Sequence, residues 1–111
     1  MSALEAVGGI VERGGDADDV LRQVVALLHE TYSWVGISFV EEGELVLGPD
    51  AGEPGPDPAR FPILYEGRAV AELGVAGVLG ADDRAQLERV AQLIAPYCLV
   101  GWDTGGEAWT P

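Results

Sequence analysis

The residues able to do chemistry in this chain are few, and their spacing defeats most of the reactions they suggest. His29-Glu30 has the opening of a helical zinc-hydrolase pair, but Ser33 stands at the offset where a second histidine would complete the ligand set. His29 is the chain's only histidine and sits near a predicted helix C-terminus, so it reads as a structural or solvated side chain. Cys98 is the only cysteine, which rules out an intramolecular disulfide and fits a reducing compartment. It falls on an apolar helical stripe, where a packed thiol is the expectation rather than a nucleophile. With one histidine and one cysteine, a zinc site is excluded. Gly77 to Gly80 is glycine-punctuated like a phosphate-binding turn, yet no Lys-Ser/Thr follows and Asp82 and Asp83 come next, which disfavours an anion. There is no lysine anywhere, so P-loop, Schiff-base and lysine general-base chemistry are absent. No acid pair and no Ser/His/Asp set stands out, and no cofactor is expected.

Charge narrows the partners. Six arginines against nineteen acids give a net charge of -13. Such a surface repels phosphate backbones and anionic headgroups, so neither nucleic acid nor a membrane surface is an expected partner. No apolar run approaches the ~18 residues of a membrane span, and Glu5 stands where a signal peptide would be basic. A soluble, cytoplasmic protein is expected. At 111 residues the chain has room for one modest core and no more.

The elements that must position these residues are organised around Trp34 to Pro49. Val35, Ile37 and Phe39 alternate with Gly36, Ser38 and Val40, the period of a half-buried strand. Glu41 to Gly43 breaks the run, and Glu44 to Leu47 resumes it, predicting an antiparallel hairpin. Ahead of it, residues 1–15 mix Leu4, Val7 and Ile10 with glycine pairs and read as an arm or a short helix. Asp16 to Tyr32 is a firm helix with Val20, Leu21, Val24, Leu27, Leu28 and Tyr32 on one stripe, capped by Asp16 or Asp18. Asp50 to Arg60, dense in proline, is predicted to be an extended surface loop. Phe61 to Tyr65 and Arg68 to Val75 form a second hairpin about Glu66-Gly67. The last helix starts near Asp82, carries Leu87, Val90, Ala91, Ile94 and Cys98 on one face, and should kink or break at Pro96. The expected class is α+β: an antiparallel sheet of about four strands with N- and C-terminal helices packed on one face. The domain is expected over residues 16–101, followed by a tail, 102–111, whose Trp102 and Trp109 suggest docking.

The run LLHETYSWVGISFVEEGELVLGP resembles the opening of GAF domains of the free methionine-(R)-sulfoxide reductase type, and RFPILYEGRAVAELGV and DDRAQLERVAQLIAP are similar to that family's last hairpin and C-terminal helix. The resemblance covers most of residues 17–97 and implies a GAF-like fold. In those reductases a long segment after the LGP carries the redox cysteines; here Asp50 to Arg60 stands in that place, and Cys98 lies elsewhere. The family's acidic ligand residues fall near Pro58, Gly74 and Ala76. Trp34 is retained, and Ser38 stands where the family has an aromatic. The resemblance therefore implies a degenerate, minimal GAF-like domain without reductase chemistry.

Two functions are carried forward: a non-catalytic GAF-like interaction or dimerisation module, and a small-molecule sensor with a reduced pocket near Trp34 and Ser38. The first expects a homodimer or a protein partner. Strand parity predicts Val40, Val46, Leu64 and Val70 on the sheet face away from the helices, an interface completed by Trp102 and Trp109.

Overall fold

The computed structural model describes residues 3–99; the expected docking residues Trp102 and Trp109 lie outside them. Three helices, α1 (Ala3–Arg13), α2 (Ala17–His29) and α3 (Ala81–Ile94), accompany four strands, β1 (Trp34–Glu41), β2 (Glu44–Gly52), β3 (Ala59–Tyr65) and β4 (Arg68–Ala76). The sheet is antiparallel throughout, in the order β2-β1-β4-β3. Both hairpins close on a Glu-Gly pair with positive φ at each residue, Glu42-Gly43 and Glu66-Gly67, the turn whose twist matches that of the strands.

The three helices share one face of the sheet. Val20, Leu21, Val24, Val25 and Leu28 of α2 and Leu87, Val90, Ala91 and Ile94 of α3 are buried against Val35 and Ile37 of β1 and Leu73 and Val75 of β4. The N-terminal segment is helical despite Gly8 and Gly9, because Val7 and Ile10 are buried beside α2 and α3. That packing outweighs the glycine penalty of ~1 kcal/mol each. It also takes this segment to the helix side, so it does not shield the opposite face.

The ends of the helices differ in detail from expectation. Asp16 occupies the N-cap of α2 without a side-chain cap bond. The N-cap of α3 is Gly80 rather than Asp82, and the Asp83 carboxylate accepts the Gly80 backbone N–H at 2.9 Å. The Tyr32 hydroxyl donates to the other Asp83 oxygen at 2.8 Å, tying the exit of α2 to the entry of α3. Pro96 ends α3 as expected: the helix stops at Ile94 and a single 3-10 turn runs over Ala95–Leu99. Cys98 lies in that turn, fully buried.

Two β-bulges decide which residues look outward. In β2, Gly36 pairs with Asp50 but Ser38 pairs with Leu47, so Gly48 and Pro49 together oppose Ile37. In β4, Ile63 pairs with Ala71 but Leu64 with Ala69, leaving Val70 as the extra residue. The predicted loop from Asp50 is correspondingly shorter, since Asp50 to Gly52 still pair with β1 and Ala59 opens β3.

Candidate functional site

The sheet face away from the helices is floored by glycine at its centre. Gly36 of β1 and Gly74 of β4 are direct cross-strand partners, and the six-membered ring of Trp34 lies flat across both. A Cβ on Gly36 would stand 2.4 Å from Trp34 Cζ2, and one on Gly74 would stand 2.7 Å from Cζ3. The indole N–H donates to Asp50 Oδ2 at 3.0 Å, a charge-assisted bond across the β1–β2 pair. Trp34 is thereby only 7% exposed although it faces away from the core. Sequence reasoning missed Asp50, which the β2 bulge returns to the outer face two residues after Gly48. The bulge has Pro49 as its one local signal, because a proline inside a strand belongs at a bulge or a free edge.

Ser38, the other residue expected near a ligand, is half-buried between its partners Leu47 and Glu72. Four residues along one strand separate its backbone from that of Trp34 by ~13 Å. The two share a face without forming a pocket. Three clefts of about 250, 220 and 370 Å³ lie elsewhere, and none of the three is lined by Trp34 or Ser38. Among the described residues no group of three or more His, Cys, Asp or Glu is placed to hold a metal. His29 points its Nδ1 at the Tyr32 carbonyl, 3.0 Å away, and its ring sits against Gly52. Burial pushes the Cys98 thiol up to about 12, so it stays protonated and unreactive at neutral pH.

The expected interface residues divide. Leu64 is outward and half exposed, and Val40 is partly exposed beside its partner Leu45. Val70 is corrected: it is 2% exposed and belongs to the core, because the β4 bulge turns it inward. Val46 is corrected as well. It pairs with Phe39, which packs on the helix-side core, so Val46 shares that face, while its neighbours Leu45 and Leu47 look outward. All three are exposed, at 49, 44 and 53% for Leu45, Val46 and Leu47. Across the rest of the outer face, Arg60 and Glu72 form an exposed ion pair at 2.8 Å, worth little to stability.

Solved structures superimpose on this fold. A type II free methionine-R-sulfoxide reductase from Thermoplasma acidophilum superimposes with a TM-score of 0.64 at 20% identity, over 75% of this chain and 92% of that one. The GAF domain of an Acinetobacter phosphoenolpyruvate-protein phosphotransferase gives 0.77 at 11% identity, over 96% of this chain and 99% of that one. The fold is GAF-like. A free methionine-R-sulfoxide reductase from Neisseria meningitidis, solved with its substrate, gives 0.73 at 16% identity, over 92% of this GAF-like chain and 89% of the reductase. No protein-family model and no curated protein matches the sequence. Among the described residues no helix is long and apolar enough to cross a membrane.

Proposed function

We propose that this GAF-like domain is a non-catalytic interaction module that binds another polypeptide, a second copy of itself in the first instance. The observation that carries the reading is the run Leu45-Val46-Leu47, three consecutive large apolar side chains left exposed on an edge strand of an otherwise acidic protein. Two further features support it. The Trp34 ring occupies the glycine floor of the outer face, where a small molecule would otherwise lie. The one thiol is fully buried, with its ionisation strongly disfavoured. The full chain should scatter light as a species larger than a monomer at micromolar concentration. It should not turn over free methionine sulfoxide with a thiol reductant. Turnover that persists in Cys98→Ser would overturn the non-catalytic reading.

A sensor is the second reading, and the Trp34–Asp50 bond favours it. A ligand that replaced the indole as the donor to Asp50 would free the ring and uncover Gly36 and Gly74. A metabolite screen separates the two, since a sensor gains thermal stability with its ligand and an interaction module does not.

A further inference from the structure

Taking the interaction reading as its basis, we propose that the second copy binds by strand pairing: β2 of one protomer lies antiparallel to β2 of the other about a twofold axis at Val46, joining two four-stranded sheets into one of eight. The hydrogen-bond phase of the hairpin sets this register. Glu41 and Glu44 close the two-residue turn, so Glu44 directs its N–H and C=O toward β1. Alternation then turns Val46 inward and leaves the N–H and C=O of Leu45 and Leu47 directed at the free edge. Two outward donor–acceptor sets flanking one inward residue are what a symmetric antiparallel partner requires. Leu45 meets Leu47 of the other copy in a bonded pair, Leu47 meets Leu45, and Val46 meets itself in the close, non-bonded pair between them.

The side chains obey the same symmetry. A twofold axis at Val46 makes the contact isologous, and leucine at both flanking positions makes each of the two bonded pairs apolar. The two leucine pairs would lie on the outer face and the valine pair on the helix face, covering the apolar groups that are half exposed in the single chain. The opposite edge of the sheet is protected. Pro62 stands within β3, a standard guard against edge pairing, whereas β2 has no lysine, arginine or proline before its bulge.

The test uses the full chain in sedimentation equilibrium, with two variants that probe the backbone and the register separately. Leu47→Pro deletes an N–H that β1 does not use, so the protomer keeps its fold by circular dichroism while the dimer dissociation constant rises at least ~10-fold. Val46→Cys places two thiols across a non-bonded antiparallel pair, with Cα atoms ~4.5 Å apart, within the range of a disulfide. Mild oxidation should then give a covalent dimer, and Leu64→Cys on the other edge should not. A dimer that Leu47→Pro leaves intact and Val46→Cys does not cross-link would overturn the strand seam while leaving the interaction reading in place. A chain that is monomeric at every concentration, and that a small molecule stabilises, would overturn both.

Discussion

Trp34 can lie on the sheet only because its neighbours have no side chains. Gly74→Val would put a branched carbon into the space of the indole ring, whose Cζ3 is 2.7 Å from the Cβ position. Overpacking of this kind costs ~1–3 kcal/mol, and urea denaturation should show the loss. If the ring is the cause, the penalty shrinks in a Trp34→Ala background, a coupling that a double-mutant cycle reads directly. Cys98 gives a second residue-scale test, in pH. Its thiol ionises near 9 in the unfolded chain but only at about 12 when buried, so above pH 9 the unfolded state holds fewer protons than the native one. Stability should therefore fall as pH rises from 9 toward 12, by up to ~1.4 kcal/mol per unit from this group, and Cys98→Ala should flatten that slope. Asp83 works in the opposite sense. The Gly80 N–H and then the Tyr32 hydroxyl lower its carboxyl below the ordinary value, so its contribution is present above the unfolded pKa and is lost on acidification.

At the scale of elements, α3 is held by its buried stripe rather than by charge. Ile94 is fully buried between the helices and the sheet, and Ile94→Ala should cost ~2–5 kcal/mol in a melt or a denaturant titration. Val70→Glu should fail for the same reason: a carboxylate at a core position finds no partner, and the expected outcome is an unfolded or aggregated chain rather than a clean monomer. That outcome marks where the sequence stopped being legible. Period-two alternation in Val35, Ile37, Leu73 and Val75 and helical periodicity in α2 and α3 come from burial that every turn repeats, so the core could be read residue by residue. Pro96 announced the end of α3 because proline removes a donor wherever it sits. A β-bulge adds one residue and shifts parity with no repeating pattern to expose it. The β4 bulge therefore carried Val70 to the wrong face in the sequence reading. On β2 the same parity put Val46 on the outer face, and its pairing with Phe39 returns it to the helix face. The Trp34–Asp50 bond was hidden for the same reason, since it depends on the pairing register of two strands and not on spacing along one.

For the whole molecule, the charge of -13 opposes the association that the β2 edge invites. In the antiparallel arrangement the acids of one hairpin tip, Glu41, Glu42 and Glu44, lie toward Gly48 to Asp50 of the other copy, which sets carboxylates against Asp50. The driving force is apolar burial and backbone pairing, which salt does not screen, while the repulsion acts between exposed charges and is screened. Raising the ionic strength from 0.01 to 0.15 M shortens the Debye length from ~30 to ~8 Å. The dimer dissociation constant should therefore fall with added sodium chloride. Like-charge repulsion and attraction between opposite charges give opposite salt slopes, so the sign of the slope is decisive. Dissociation promoted by salt would mean that the contact is held by Arg60, Arg68 or another of the six arginines against the acidic surface, and the apolar seam along β2 would have to be given up.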